Sequence, residues 1–381
     1  MRIGITYFSS NKYISGVEYY SLGMIDALLR FGGEHEYVAF TNQPGQIEER
    51  VCTSKNLRIM DLSHIRTRLQ RIAWEHLTLP RLTKREELDI LHCPHYICPV
   101  LRTNARYVVT VHDTIALDHP EWCTSSNSLY YRRFMKHSIR AASLIIAVSH
   151  NTAADITRNF PLALTKIQVI YPGIDPIFDV HRNSSRQPEI RDRYALPKKY
   201  ILYVGNIEPK KNICSLLNAH RILRKTGLPH KLVLVGERHW KSQSVLNRLS
   251  QYSDELGIVR TGYLDRRDLP CVYQMADVFV FPSLYEGFGF PPLEAMACGT
   301  PVISSTMGAL REVVGDAAYP VDPTNPEEIA HALLLMITRT DLRAKHMQKG
   351  WTRSQLYSWA AAARGLLSAY KDVVENNGRS H

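Results

Sequence analysis

The stretch "ADVFVFPSLYEGFGFPPLEAMACGTPVISS" (276–305) changes its pattern three times. "DVFVFPS" is a short apolar run rich in β-branched and aromatic residues, the mark of a buried strand. "LYEGFGF" is its exit loop. "PPLEAMACG" reads as a helix opened by prolines, which suit a helix's first turn, and closed by Gly299. With "TPVISS" a second strand begins, so the whole is strand, helix, strand, the repeating unit of a parallel sheet. Two glutamates stand in it eight positions apart, Glu286 in the loop at the first strand's carboxyl end and Glu294 in or near the helix's first turn. Gly287 and Gly289 let backbone amides approach a ligand closely, and the helix N-terminus adds partial positive charge suited to a phosphate. Two carboxylates beside an anion seat fit a sugar nucleotide: acceptors for sugar and ribose hydroxyls, donors for diphosphate. Alone, an E-x-G of this kind means no more than a dipole-complementing glutamate and a turn.

Outward from this stretch the same alternation recurs in two series. The first contains "RIGITYF" (2–8), "EYVAFT" (36–41), "DILHC" (89–93), "YVVTVHD" (107–113), "SLIIAVS" (143–149) and "KIQVIYPG" (166–173). A polar, proline-containing connector (173–199) follows, and strands resume at "YILYVGN" (200–206), "KLVLVGE" (231–237), "GIVRTGY" (257–263), 277–283 and 300–305. The chain's 381 residues exceed what one core organises. The expectation is an α/β protein of two doubly wound parallel-sheet domains, 1–174 and 175–356. The helical tail, about 357–381, would return to the first. Open sheets of this class bind ligands at the carboxyl ends of their strands, so function is sought in a cleft between the domains.

Composition narrows the partners. Lys plus Arg number 47 against 36 Asp plus Glu, a net charge of +11 that favours nucleic acid, acidic lipid or phosphorylated substrates. The seven cysteines are scattered, with no paired zinc spacing, and read as thiols of a reducing compartment. "HCPHYIC" (92–98) matches no strong zinc spacing either, and no metal site is expected. The N-terminus shows no export signal, and no window reaches the roughly 20 apolar residues of a membrane span. In "LSHIRTRLQRIAWEHLTLPRLTKR" (62–85), Leu62, Ile65, Leu69 and Ile72 recur at helical spacing among Arg66, Arg68, Arg71, Arg81, Lys84 and Arg85. "YYRRFMKHSIR" (130–140) adds a second basic, aromatic stretch. Such combinations suit adsorption to an anionic membrane surface, or a core-facing helix with a solvated basic face.

The stretch 276–305 resembles the retaining glycosyltransferases of family 4, which share the two-domain GT-B fold with Rossmann-like domains facing a central cleft. The likeness extends through "SGVEYY" (15–20), "VHD" (111–113), "AVSHNT" (147–152), "YPGID" (171–175), "YVGNIEPKKN" (203–212), "YLDRRDLPCVYQMADVFV" (263–280) and "YSW" (357–359). The resemblance implies that Glu286 contacts the transferred sugar and Glu294 the nucleotide ribose. The amides of Gly287, Phe288 and Gly289 would line sugar and diphosphate, with Leu293 alongside. Lys211 matches the family's diphosphate lysine, His112 the histidine beside the donor sugar, and Gly16 a glycine loop near the diphosphate. Many members have Gly-Arg where this chain has Gly205-Asn206; Asn206 supplies no charge, and Lys210 is the residue placed to compensate. Asp113, Ser149, Gly236 and Tyr263 are supporting positions, Ser149 being equally an N-cap of the helix 150–160.

No Asp-x-Asp occurs, so the metal-bridged site of the other major glycosyltransferase fold has no ligands here, and neither metal nor cofactor is expected beyond the nucleotide-sugar donor. The resemblance is to bacterial polysaccharide and O-antigen mannosyltransferases. It implies GDP-mannose as donor, a lipid-linked glycan of O-antigen or capsule synthesis as acceptor, and a cytoplasmic, peripheral place at the inner face of the plasma membrane. UDP-glucose, UDP-N-acetylglucosamine and dTDP sugars stay open as donors. Same-face attack assisted by the departing phosphate is expected rather than a covalent intermediate on Glu286. Among other classes, a dinucleotide oxidoreductase lacks its G-x-G-x-x-G after the first strand. A nucleic-acid-binding protein would explain the charge, but the basic residues form no recognised module. Intact Glu286, Glu294, Lys211 and His112 weigh against a non-catalytic partner of another transferase.

Overall fold

Arg2–Tyr7 forms β1, the strand around which the first half of the chain is arranged. The computed structural model describes residues 1–9, 14–52, 54–181, 184–238, 242–243, 245, 247, 249 and 256–375. The chain divides into two units. The first comprises Met1–Pro120, Ser125–Gly173 and the chain from Ser358 on; the second comprises Ile174–Tyr357 with Glu121–Thr124. Crossings at 173/174 and 357/358 stand against the expected 174/175 and 356/357. The returning helix is Trp359–Glu375, and positions 376–381 of the expected tail lie outside the described residues.

In the first unit β1 is followed by β2 (Glu36–Thr41), β3 (Leu57–Asp61), β4 (Ile90–Cys93), β5 (Arg106–Val111), β6 (Leu144–Ala147) and β7 (Ile167–Val169), in the order β3-β2-β1-β4-β5-β6-β7. Every pairing is parallel. β4 and β6 are buried along their whole length, as befits strands covered by helices on both faces. One side of the sheet packs Phe8, Phe40, Trp74, Leu91, Val109 and Ile145 into a common core. The helix Gly16–Phe31 meets the returning helix so closely that a Cβ at Gly23 would lie 2.3 Å from the Trp359 ring.

The second unit repeats the plan with β8 (Tyr200–Val204), β9 (Lys231–Val235), β10 (Ile258–Gly262), β11 (Val278–Phe281), β12 (Val302–Ser305) and β13 (Tyr319–Val321), in the order β10-β9-β8-β11-β12-β13, again all parallel. Tyr203, Phe281 and Phe279 stack in turn across its centre. In each sheet the strand order reverses once, between β1 and β4 and between β8 and β11. Loops leaving the two strands at such a reversal diverge to opposite faces and open a crevice between them.

Three expectations need correction. β3 and β13 were not among the expected strands: both are sheet edges, β3 is half-exposed along its length, and β13 carries a proline, so neither shows the apolar run of a central strand. Within 173–199, the helix Gln187–Arg193 belongs to the second unit, where buried Asp268 accepts from Arg186 Nη2 (2.7 Å), Arg193 Nη1 (2.8 Å) and the Tyr194 hydroxyl (2.8 Å). The stretch 62–85 is not one helix with one apolar stripe. Leu62 and Ile65 precede the helix Arg68–Ala73 and lie in the core, while Leu69 is 79% exposed. A π-helical turn, Trp74–Thr78, then shifts the register before Leu79–Arg85.

Candidate active site

The crevice of the second unit is bounded by the loops that leave β8 and β11. The first ends in a short 3-10 turn, Pro209–Lys211, after which Asn212 takes left-handed backbone and donates through Nδ2 to the carbonyls of Pro282 (3.2 Å) and Pro323 (2.6 Å). Leu284 N donates to Lys210 O at 2.8 Å, so the two loops are tied together at the backbone. Between them Lys211 Nζ meets Glu286 Oε1 at 2.5 Å, and Lys210 Nζ lies 4.0 Å from Glu286 Oε2 and 3.9 Å from Glu208 Oε1. Two cations and two carboxylates are thus gathered in a largely buried cluster, with Lys211 also 5.1 Å over the Phe281 ring.

Glu286 is fixed from a third loop that sequence reasoning did not single out. Ala309 N donates to Glu286 O at 2.9 Å, and Gly308, with φ +60°, comes so near that a Cβ there would sit 2.6 Å from the same oxygen. The only sign of this in the sequence is a lone glycine following β12. Gly289 is the N-cap of the helix Phe290–Ala297, and Gly287 precedes it in the loop. Phe288 turns its ring onto Phe290 and Tyr357, and Leu293 is fully buried, so their side chains belong to the core and only backbone is left to face a ligand. Asn206 is half-buried, its carbonyl accepting from the Tyr203 hydroxyl at 3.3 Å. Gly236 serves the seam between β8 and β9, since a Cβ there would strike Gly205 O at 2.2 Å. Tyr263 follows β10, its N–H donating to Glu237 Oε1 at 3.1 Å.

Glu294 lies just past the first turn of its helix, near where it was expected, and is buried. It is the fifth residue of its helix, 4% exposed, and caps nothing. Arg266 Nη1 pairs with its Oε1 at 3.0 Å, the Tyr273 hydroxyl donates to its Oε2 at 3.0 Å, and Arg266 Nε reaches Asp175 Oδ2 at 3.3 Å. Burial raises the Glu294 carboxyl above its ordinary range, and Arg266 is the main influence opposing that rise. Phe178 lies under the guanidinium at 4.7 Å. Arg266 and Tyr273 were legible only as letters of a motif; a buried carboxylate's need for a partner is the signal that would have found them.

The first unit builds a different set. Gly16 opens the helix Gly16–Phe31 behind a capping box of Ser15 and Glu18. His112 follows β5, is 8% exposed, and donates through Nε2 to Pro94 O at 2.8 Å. A carbonyl can only accept, so Nε2 carries the hydrogen and Nδ1 is the acceptor. Burial brings the His112 pKa down to about 4, and Tyr20 packs its ring edge-on at 4.7 Å. Asp113 Oδ1 accepts from Ile115 N at 3.2 Å and shapes the turn. Ser149 is fully buried and caps the helix His150–Asn159, accepting from Thr152 N at 3.0 Å; Thr152 Oγ1 in turn donates to His112 O at 3.3 Å. Behind them His92 lies between the hydroxyls of Tyr370 (2.5 Å) and Thr110 (2.7 Å), its pKa lowered by burial to about 3. Cys93 and Cys98 are buried thiols, and His95 Nε2 meets Ser21 Oγ at 3.3 Å. Among the described residues no group of three or more His, Cys, Asp or Glu is placed to hold a metal ion.

Lys210, Lys211, Glu286 and Glu294 are therefore assembled within the second unit, and Gly16, His112, Asp113 and Ser149 within the first. Residues 14–178 match the family model of Glycosyltransferase Family 4, and residues 186–352 that of Glycosyl transferases group 1. O-antigen chain mannosyltransferase B of Escherichia coli is 32% identical over 284 residues, 74% of this chain and 74% of the relative. The serotype-specific mannosyltransferase WbdA of Escherichia coli is 27% identical over 279 residues, 71% of this chain but 34% of the relative, so this chain spans about a third of that protein's length. The crystal structure of Anabaena HepE in complex with UDP and glucose aligns with a TM-score of 0.73 at 19% identity, covering 96% of this chain and 98% of that one, a likeness of fold. The chain belongs to the GT-B glycosyltransferases of family 4 and is a hexosyltransferase.

Proposed function

We propose that the protein transfers mannose from GDP-mannose to a lipid-linked glycan in the synthesis of a bacterial surface polysaccharide, with retention of configuration and without a metal. The observation that carries the reading is the Lys211–Glu286 pair across the β8/β11 crevice. A diphosphate entering there competes with Glu286 for Lys211. Exchange of partners frees the carboxylate to accept from sugar hydroxyls and leaves the lysine against the charge that grows as the glycosidic bond breaks. Glu294, set deeper, accepts from the ribose. His112, neutral near pH 7, offers its Nδ1 lone pair to a hydroxyl of the sugar. In same-face attack the departing phosphate takes the acceptor's proton, and no carboxylate of the chain bonds to the anomeric carbon. The choice of mannose follows the relatives named as mannosyltransferases, and guanine as the base is part of the proposal.

A peripheral place at the inner face of the plasma membrane fits the surface of the first unit. Leu69, Leu77 and Leu129 are exposed there, Leu129 by 72%, among exposed Arg66, Arg132, Arg133 and Lys136. Among the described residues no helix is long and apolar enough to cross a membrane. The deciding experiment follows thermal stabilisation and consumption of GDP-mannose, UDP-glucose, UDP-N-acetylglucosamine and a dTDP sugar, with the product anomer read by NMR. GDP-mannose consumed to an α-linked product is expected. A response to UDP sugars alone would move the donor, and a β-linked product would overturn retention. Flotation with anionic and neutral vesicles tests the membrane place, equal indifference to both counting against it.

A further inference from the structure

Tyr96 has φ +68°, in the left-handed region that a bulky side chain rarely enters. It stands in the loop after β4, at the strand-order reversal of the first unit, and its N–H donates to Thr110 O of β5 at 3.2 Å. Glycine or asparagine would meet such a turn at little cost, so a tyrosine in this conformation draws attention to its ring. That ring lies edge-to-face with His112 at 5.4 Å on one side and with Tyr131 at 5.5 Å on the other. Tyr131 meets Tyr130 at 5.4 Å, and the Arg68 guanidinium covers Tyr130 at 4.6 Å. The result is an unbroken run of rings from His112 to a cationic end, its three tyrosines half-buried rather than sealed in the core.

We propose that Tyr96, Tyr131 and Tyr130 form the track that seats the pyranose rings of the acceptor glycan, with the attacking sugar at the His112 end. The proposal rests on the transferase reading above and names the acceptor subsite within it. Half-buried tyrosines can offer ring surface to the C–H face of a sugar and a hydroxyl to its rim. Tyr130, with Arg68 over its ring and its hydroxyl donating to Glu75 Oε2 at 3.4 Å, closes the far end of the track, and Tyr96 and Tyr131 supply its stacking surface. They lose little conformational freedom on binding. The track starts beside the histidine expected at the donor sugar and ends near Arg68, Arg132 and Arg133, which suits a glycan carried on a phosphorylated lipid. Tyr131 also lies close enough to Arg71 and Asp113 for their charges to act on its hydroxyl.

The test uses the full chain and an α-linked mannotriose on an octyl aglycone. Its binding is measured by saturation-transfer NMR and calorimetry, with GDP affinity and melting temperature followed on the same samples. Tyr131→Ala is expected to weaken trisaccharide binding about tenfold. Tyr96→Gly, which keeps the turn and removes the ring, is expected to do the same, while Tyr96→Phe binds within about twofold of the wild type. GDP affinity stays within about twofold throughout. Unchanged trisaccharide binding in Tyr131→Ala and Tyr96→Gly overturns the proposal, and so does a wild type that does not bind the trisaccharide. A melting temperature that falls steeply in every variant that loses trisaccharide affinity overturns it too, because that marks a collapsed first unit. Trisaccharide binding lost in the variants, in a protein that turns over no nucleotide sugar, would leave the track standing and sink the transferase reading.

Discussion

The two crevices share a scaffold and oppose each other in chemistry. Both lie where a parallel sheet reverses its strand order, β1/β4 in one unit and β8/β11 in the other. Among the described residues, the groups buried behind the first are neutral: burial drives His112 and His92 to about 4 and 3 and raises the Tyr20 hydroxyl to about 12. The second gathers Lys210, Lys211, Glu208 and Glu286, with Arg266 and Glu294 behind them. Topology fixes where a ligand sits, and side chains alone decide its kind. A crevice rich in aromatic rings suits a glycan; a charged, internally compensated one suits a diphosphate that must displace part of that compensation.

The contrast breaks most visibly at the charged crevice. Glu286→Gln and Lys211→Ala should each lower kcat by about a hundredfold to a thousandfold, the scale of one lost preorganised charge contact, with the circular dichroism spectrum unchanged. Their effects on product binding should be opposite. Lys211→Ala weakens GDP, whereas Glu286→Gln removes the competitor for Lys211 and tightens GDP at least about fivefold by calorimetry. Weaker GDP binding in Glu286→Gln would rule out partner exchange.

A smaller effect tests the deeper pair. Arg266→Ala should raise the donor KM about tenfold with kcat little changed, because ribose is held alike in ground and transition states. The pH dependence has a definite sign. Glu294 is already raised by burial, so donor KM should climb as pH falls through that raised pKa. Without the guanidinium the carboxyl rises further, and the climb should begin at a higher pH. Superimposable KM profiles for the two proteins would reduce Arg266 to a structural residue.

The mildest prediction concerns the aromatic crevice. A histidine whose folded pKa is lowered favours folding fully above its unfolded value of about 6.5, and that stability is lost as pH falls toward the folded value. The wild type should therefore melt progressively lower from pH 6.5 to 4. His92→Gln, freed of a group held near 3, should lose about 2–4 °C less over that interval in thermal melts. Equal acid sensitivity would mean that the neutral state of His92 is not what the fold protects.

Much of this was legible in the sequence. The central strands announce themselves because both faces are buried: "YILYV" and "VFVF" admit no polar residue. Edge strands do not, as the half-exposed β3 and the proline of β13 illustrate. Lys211 and Glu286 could be named from local motifs, but their contact spans 75 positions and belongs to the β8/β11 reversal. Arg266 escaped because its partner Glu294 became buried only once the helix Phe290–Ala297 had turned. Tyr96 escaped for a different reason: a left-handed φ at tyrosine leaves no trace in composition or periodicity. The stripe expected over 62–85 failed at Leu62 and Ile65, which the core claims before any helix begins.

The returning helix has a consequence for biosynthesis. His92 waits for Tyr370, 278 positions downstream, and the groove above Gly23 waits for Trp359. At roughly 5–20 residues per second, about 15–55 s separate the emergence of the two hydrogen-bonding partners. During that interval Ile174–Tyr357 can close around its own sheet while the earlier segment stays one helix short. The half of the molecule made first is the half finished last, and a released chain truncated before residue 359 would keep every strand of the second unit while its first unit lacked the returning helix.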